Sequence, residues 1–110
     1  MAENRQKPQS GLNERVYAFL KTIPKGKVVT YGQIAAALGN RKLSRAVGTA
    51  LHHNPDPIGQ PCYKVVNRNG ALARSFGDVG GIETQKRRLE QDGIEVVDYR
   101  VDLSKYQWIF

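Results

Sequence analysis

Apolar residues near the start of the chain recur about one helical turn apart. The positions are Leu12, Val16, Phe19, Leu20 and Ile23. Such spacing places apolar side chains on one face of an α-helix. Pro24 cannot continue a helix, so the pattern predicts a helix from Leu12 to Thr22.

Two shorter helices are predicted after an extended pair, Val28-Val29. Thr30-Tyr31-Gly32-Gln33 has the form of a capping box, which begins a helix, and Gly39 is the residue type expected to end it. A second helix is predicted over Ser44–His53. Two short helices joined by a glycine-containing turn are typical of a helix-turn-helix motif. A helical hairpin packed in a core would show the same pattern.

The second half of the chain predicts a smaller β element and one more helix. Composition indicates strands at Tyr63–Val66 and Ile94–Val97, a turn at Asn67–Gly70 and an amphipathic helix at Ile82–Gln91. The tail is apolar enough to dock on the core, through Leu103, Tyr106 and Trp108. The fold class predicted is mainly α with a small β element, built around a helix-turn-helix. Residues 1–10 are expected to be a disordered tail and residues 11–110 a single domain.

Length and charge narrow the classes of partner. The 110 residues suit one domain with a modest core, and the formal net charge of +7 favours a polyanion such as nucleic acid. No apolar run approaches the roughly 20 residues of a membrane span, so no membrane partner and a cytoplasmic location are expected. One cysteine and two histidines cannot form a structural zinc tetrahedron, so no metal site is expected.

The only cysteine in the chain is Cys62, in the run Pro61-Cys62-Tyr63-Lys64-Val65. A lone thiol is either filling for the core or a reactive nucleophile. An aromatic ring and a cation follow it, and a helix-turn-helix pattern precedes it. Together with the basic charge, this arrangement indicates a thiol that reacts on or beside DNA.

Five segments of the chain match one protein family in the same order. They are Ile23–Tyr31, Ser44–Gly48, Asn54-Pro55, Pro61–Val66 and Gly80-Gly81. On these segments the chain resembles the DNA-binding, active-site domain of O6-alkylguanine-DNA alkyltransferases and their alkyltransferase-like relatives, from about Leu12 to Val97. The resemblance implies a winged helix-turn-helix that binds the minor groove and rotates a damaged guanine out of the stack.

The resemblance also implies roles for individual residues. Cys62 would accept the alkyl group, Tyr31 would press on the 3′ phosphate, and Arg45 would fill the gap left by the flipped base. The catalytic candidates are Cys62, Tyr63 and Asp92; the DNA-binding candidates are Tyr31, Arg45, Gly48, Thr49, Asn54 and Lys64; the pocket candidates are Pro61, Ser75 and Phe76. Asn54 would be the hinge that ties the helix-turn-helix to the active-site strand.

The chain departs from the family's usual Pro-Cys-His-Arg-Val motif. Tyr63 stands where the family has a histidine that takes the thiol proton, Lys64 replaces the arginine, and Asp92 stands where the family has the glutamate that orients the histidine. Inactive relatives replace the cysteine, often with tryptophan, whereas this chain keeps it. The chain therefore falls between the motif of the active transferases and that of the inactive relatives.

Two main hypotheses follow from these departures. The chain is either a single-turnover S-alkyltransferase, which needs no metal or cofactor, or a lesion sensor that binds O6-alkylguanine and hands it to other repair proteins. The expected partner is duplex DNA that contains O6-alkylguanine, and a monomer is expected. A sequence-specific transcription regulator is a weaker third hypothesis, because it leaves the cysteine motif unexplained.

Overall fold

The computed structural model describes residues 8–72 and 81–110. The helices are α1 (Pro8–Leu20), α2 (Tyr31–Ala37), α3 (Ser44–His52), α4 (Gly81–Gln91) and α5 (Leu103–Tyr106), and the strands are β1 (Val29–Thr30) and β2 (Val65–Val66). Single 3₁₀ turns at Arg41–Leu43 and Cys62–Lys64 precede α3 and β2. The prediction of a mainly α fold with a small β element is confirmed. Helix α1 begins at Pro8, inside the segment expected to be a tail.

The two strands pair in parallel and join the first half of the chain to the second. Val29 lies opposite Val65, and Thr30 lies opposite Val66. The docked tail continues this layer, because Val28 donates its amide to the carbonyl of Tyr106 at 2.9 Å. The pairing places the turn that carries Cys62 beside the start of α2.

Local signals begin and end α2 as predicted. The amide of Gln33 donates to Oγ1 of Thr30 at 3.2 Å, and Oε1 of Gln33 accepts from the amide of Thr30 at 2.9 Å. Gly39 follows the helix with a φ of +103°, a conformation that glycine adopts without strain. Together with α3, α2 forms the predicted helix-turn-helix.

The buried side chains form two clusters on either side of the Cys62–Lys64 turn. The first cluster holds Val16, Leu20, Ile23, Val29, Ile34, Ala35, Val47, Ala50, Cys62 and Val65. The second holds Val28, Val66, Leu72, Leu89, Ile94, Val96 and Val101, with Tyr63 packed against it. Cys62 and Tyr63 therefore pack against different cores.

One strand prediction was right only in its second half, at Val65–Val66, and another was wrong. The segment predicted as a strand from Tyr63 begins as a 3₁₀ turn, because the amide of Lys64 bonds back to the carbonyl of Pro61. The segment Ile94–Val97 forms only a single bridge, between Val97 and Arg100. The chain reverses there through Asp98 and Tyr99, at φ of 51° and 58°, before a ladder can form.

Candidate functional site

The thiol lies at the start of the 3₁₀ turn between the two cores. Cys62 is 8% exposed, and its amide donates to the carbonyl of Gln60 at 2.7 Å. Its carbonyl accepts the amide of Val65, the first residue of β2. The backbone on both sides of the thiol is thus held by hydrogen bonds, which limits the directions in which sulfur can point.

Three tyrosines surround this position. Burial raises the pKa of both Tyr17 and Tyr31, and the negative charge that Cys62 carries as a thiolate raises them further. Burial also raises the pKa of Tyr63, with the charges of Asp92 and Cys62 acting in the same direction and Arg88 opposing them. All three hydroxyls therefore stay protonated near neutral pH, so none of them is a base for the thiol.

Sequence reasoning missed Tyr17. Its hydroxyl donates to the carbonyl of Ala50 at 2.8 Å, which fastens α1 to α3 beside the thiol. Tyr17 directly follows the buried Val16 on α1. Nothing in the spacing of apolar residues distinguishes it from an ordinary residue at the edge of the core.

An open groove brings together the two residues that the resemblance assigns to base flipping. Tyr31 and Arg45 line it with Lys42 and Ser44. Arg45 is exposed on α3, and Tyr31 is packed partly against the first core cluster. The groove therefore has a half-buried aromatic ring on one side and two cations on the other.

The exposed face of α3 continues from this groove. A Cβ built on Gly48 would meet nothing within 4 Å, so this face is open. Thr49 is exposed, and its hydroxyl donates to the carbonyl of Arg45 at 3.2 Å. These small residues allow another molecule to approach the helix backbone closely.

A second groove runs along the exposed side of α2. Its lining includes Arg41 and Arg68, together with the small residues Ala36 and Ala37. Sequence reasoning placed both arginines in turns and gave neither a role in binding. With Lys42 and Arg45, they place four cations around the helix-turn-helix. The composition gives only the net charge, whereas the structure shows where these four charges lie.

Asn54 braces the segment that leads to the thiol. Its Nδ2 donates to the carbonyl of Gln60 at 2.7 Å, and its Oδ1 accepts from Nε2 of Gln60 at 2.8 Å. The carbonyl of Gln60 also accepts the amide of Cys62. Asn54 thus connects the end of α3 to the residues just before Cys62, with Pro61 between them.

The structure places Lys64 and Asp92 away from the roles that sequence predicted. Lys64 is 5% exposed, so its ammonium is not presented to DNA. Its Nζ lies 3.4 Å from Oδ2 of Asp92, and the same oxygen accepts the amide of Gly26 at 2.7 Å. Asp92 therefore engages Lys64 and Gly26, whereas the resemblance assigned it to the residue at position 63. The pocket candidates Ser75 and Phe76 lie outside the described residues.

Gln85 is a second residue that sequence reasoning missed. It is fully buried on α4, and its Nε2 donates to the carbonyls of Tyr63 and Val65 at 3.1 and 3.0 Å. It joins α4 to the backbone that follows Cys62. The helical spacing of Gln85 with Ile82 and Leu89 was the available signal.

Neither a metal centre nor a membrane span is found in the part of the chain that the structure describes. Within residues 8–72 and 81–110, no group of three or more His, Cys, Asp or Glu side chains could hold a metal ion. No helix in these ranges is long and apolar enough to cross a membrane.

Comparison with known proteins decides the family. The family described as "6-O-methylguanine DNA methyltransferase, DNA binding domain" matches residues 11–94. The chain belongs to this family.

Relatives in the family carry two kinds of name. The chain is 38% identical over 95 residues to a "DNA base-flipping protein" of Vibrio parahaemolyticus, covering 86% of this chain and 92% of that protein. It is 42% identical over 78 residues to a "Methylated-DNA--protein-cysteine methyltransferase" of Salmonella typhimurium, covering 71% of this chain and 44% of that protein. It also spans 30% of a "Bifunctional methyltransferase/endonuclease" of Picrophilus torridus, at 44% identity and over 84% of this chain.

A solved structure supports the same placement. The Schizosaccharomyces pombe Atl1 structure, in complex with damaged DNA containing O6-carboxymethylguanine, superposes with a TM-score of 0.84 at 32% identity, covering 92% of this chain and 97% of that one. This member of the methyltransferase DNA-binding family therefore has relatives named for alkyl transfer and relatives named for base flipping.

Proposed function

We propose that this chain binds duplex DNA, turns O6-alkylguanine out of the stack and transfers the alkyl group to Cys62. The observation that carries the proposal is the position of the thiol, on a braced turn beside the helix-turn-helix and next to Tyr31. The membership in a family that includes a methylated-DNA–protein-cysteine methyltransferase supports it.

DNA binding follows from the two grooves around the helix-turn-helix. Arg41, Lys42, Arg45 and Arg68 supply positive charge where a sugar-phosphate backbone would lie. Open backbone at Gly48 allows α3 to approach a groove of the duplex. Phosphate contacts of this kind position a protein on DNA without reading its sequence, which suits a protein that searches for a lesion.

The proposed reaction is a single displacement. The thiol loses its proton to water, the sulfur forms a bond to the alkyl carbon, and the bond from that carbon to O6 breaks. The electron pair stays on guanine, which regains a proton from water. The resulting thioether is stable, so each molecule acts once. A thiol is a weak nucleophile until it loses its proton, and Tyr63 stands where the family has a histidine base, so transfer is expected to be slow.

The second candidate is a lesion sensor that binds the flipped base without transfer. Two observations favour it: the raised pKa of Tyr63, caused mainly by burial, leaves a protonated hydroxyl where the family has histidine, and Asp92 is engaged by Lys64. Both candidates share base flipping and differ only in whether the sulfur becomes alkylated.

Variants in the first groove test the shared part of the proposal. We expect Arg45→Ala and Tyr31→Ala to lose discrimination between an O6-methylguanine duplex and a guanine duplex. In the proposed site, Arg45 fills the gap that the flipped base leaves, and Tyr31 contacts the 3′ phosphate. Binding is measured by fluorescence anisotropy, and extrusion by a 2-aminopurine placed beside the lesion.

Arg87→Ala is the matched control, since Arg87 is exposed on α4 and lines neither groove. It should leave the affinity for each duplex, and the discrimination between them, close to the parent values. Parent-like discrimination in both Arg45→Ala and Tyr31→Ala would contradict the proposed flipping site.

A further inference from the structure

The buried ion pair of Lys64 and Asp92 joins three segments whose relative positions matter for the proposed site. Lys64 ends the turn that carries Cys62, Asp92 directly follows α4, and Gly26 lies in the turn before β1. The side chains of Lys64 and Asp92 are 7% and 11% exposed, so water screens the pair weakly. None of the roles proposed for the site accounts for a charged pair at this depth.

Three oxygen atoms surround the Lys64 ammonium. Nζ lies 3.2 Å from the carbonyl of Ile23, 3.1 Å from that of Pro24 and 3.4 Å from Oδ2 of Asp92. The two carbonyls accept hydrogen bonds from two of the three N–H donors of the ammonium, and the carboxylate balances its charge. A satisfied buried polar network holds its members in one arrangement, because any other leaves a charge unpaired.

We propose that Lys64 and Asp92 are positioning residues that fix where the Cys62 thiol lies relative to Tyr31. The inference is geometric and rests on the proposed function. The Ile23–Gly26 turn leads through β1 directly to Tyr31, and the Cys62–Lys64 turn leads directly to β2. The β1–β2 pairing holds one end of these two segments, and the ion pair holds the other.

Two ties between the same segments leave little freedom for the thiol. The strand pairing and the hydrogen bonds of Gln85 hold the Cys62–Lys64 turn at β2 and α4, but they do not connect it to the segment before β1. The ammonium makes this connection, since it donates to the carbonyls before β1 and pairs with the carboxylate that receives the Gly26 amide at 2.7 Å. The pair acts on the thiol through the backbone and contacts no substrate.

The test is Lys64→Met, which keeps the unbranched apolar part of the side chain and removes its charge. We expect methyl transfer from an O6-methylguanine duplex to slow by about 100-fold, the cost typical of a small displacement of a reacting group. Affinity for the lesion duplex should stay unchanged, because neither residue faces the grooves. Alkylation of Cys62 by iodoacetamide in the DNA-free protein should become severalfold faster, because the turn no longer shields the sulfur.

A second variant and a rescue separate positioning from folding. Asp92→Asn keeps the size of the side chain and an acceptor for Gly26 while removing the charge. It should show the same combination of slower methyl transfer, unchanged affinity and faster labelling of Cys62. Lys64→Arg keeps the charge and should retain most of the parent's transfer rate. A transfer rate for Lys64→Arg as low as that of Lys64→Met would contradict the proposal.

Lys86→Met is the matched control. Lys86 and Glu90 form an ion pair on α4 at the same 3.4 Å distance, but with 34% and 46% exposure. This control should leave all three measurements at parent values.

The iodoacetamide measurement keeps the proposal testable if the parent takes up no methyl group. In that case alkyl transfer fails as a function, while faster labelling in Lys64→Met and Asp92→Asn still supports the positioning role. Parent-like labelling in folded Lys64→Met or folded Asp92→Asn would overturn it. Should Lys64→Met not fold, the Asp92→Asn result decides.

Discussion

At the level of single residues, the chemistry of the site depends on which group takes the proton of Cys62. Tyr63 follows the thiol directly but packs against the other core cluster, and burial raises the pKa of its hydroxyl. A hydroxyl that is protonated throughout the neutral range cannot accept a proton from sulfur. Transfer in the parent protein should therefore depend on how readily the thiol loses its proton, with a rate that rises as the pH is raised.

Tyr63→His is predicted to accelerate methyl transfer. An imidazole with a pKa near 6.5 can take the thiol proton at neutral pH, and general-base catalysis contributes roughly 100-fold or more. Single-turnover rates between pH 6 and 9 check this prediction. The rate of Tyr63→His should rise between pH 6 and 7.5, where imidazole becomes neutral, and the parent should show no such rise.

Tyr63→Phe is the control for this experiment, because it keeps the ring in the second core and removes only the hydroxyl. Its pH profile should match that of the parent from pH 6 to 9. A clear loss of rate in Tyr63→Phe would show that the hydroxyl takes part in transfer, which contradicts a rate set by ionisation of the thiol alone.

At the level of elements, the start of α2 fixes Tyr31. The capping box bonds both ends of the first turn, and Nε2 of Gln33 also donates to the carbonyl of Trp108 at 2.8 Å. The docked tail therefore supports the same turn that carries the residue proposed to flip the base.

Thr30→Ala is predicted to lower the free energy of unfolding by about 1 kcal/mol, since the N-cap acceptor for the Gln33 amide is lost. Urea denaturation measures the change, and Thr30→Ser should restore most of it. Thr22→Ala removes an exposed hydroxyl bonded to the carbonyl of Phe19 and should cost less. An equal cost for both variants would show that the cap contributes nothing special.

The capping box also shows which parts of the fold can be predicted from sequence. It depends on residues three positions apart, so the amino-acid order alone is enough to identify Thr30 and Gln33 as its members. The turn at Cys62–Lys64 is also bonded to the distant Gln85, and the strand predicted from Tyr63 begins only at Val65. The turn at Asp98-Tyr99 is bonded to the distant Leu72, and the strand predicted at Ile94–Val97 is not formed there. The ion pair of Lys64 with Asp92 and the hydrogen bonds of Gln85 are of the same kind, because their partners meet only in the folded chain.

At the level of the whole molecule, charge and shape act together. The net charge of +7 predicts electrostatic binding, and four of the cations line the two grooves beside α2 and α3. Affinity for duplex DNA should fall steeply as salt rises, because each neutralised phosphate releases counterions. A plot of log Kd against the logarithm of the salt concentration should be a rising straight line.

Anisotropy titrations at several salt concentrations measure this slope. Arg68→Ala should reduce the slope by about 1, the value expected for one lost phosphate contact, and Arg87→Ala should leave the slope unchanged. An affinity that hardly differs between low and physiological salt would contradict electrostatic binding.

The most direct test of the central claim is the intact mass of the protein after incubation with an O6-methylguanine duplex. Long incubation at about pH 8.5 favours the thiolate and allows for slow transfer. We predict a gain of one methylene group, located by peptide mapping to Cys62 and absent in Cys62→Ser, which should still bind the lesion. An unchanged mass in the parent and in Tyr63→His, with clear binding of the lesion duplex by both, would contradict transfer and leave the sensor as the function of this chain.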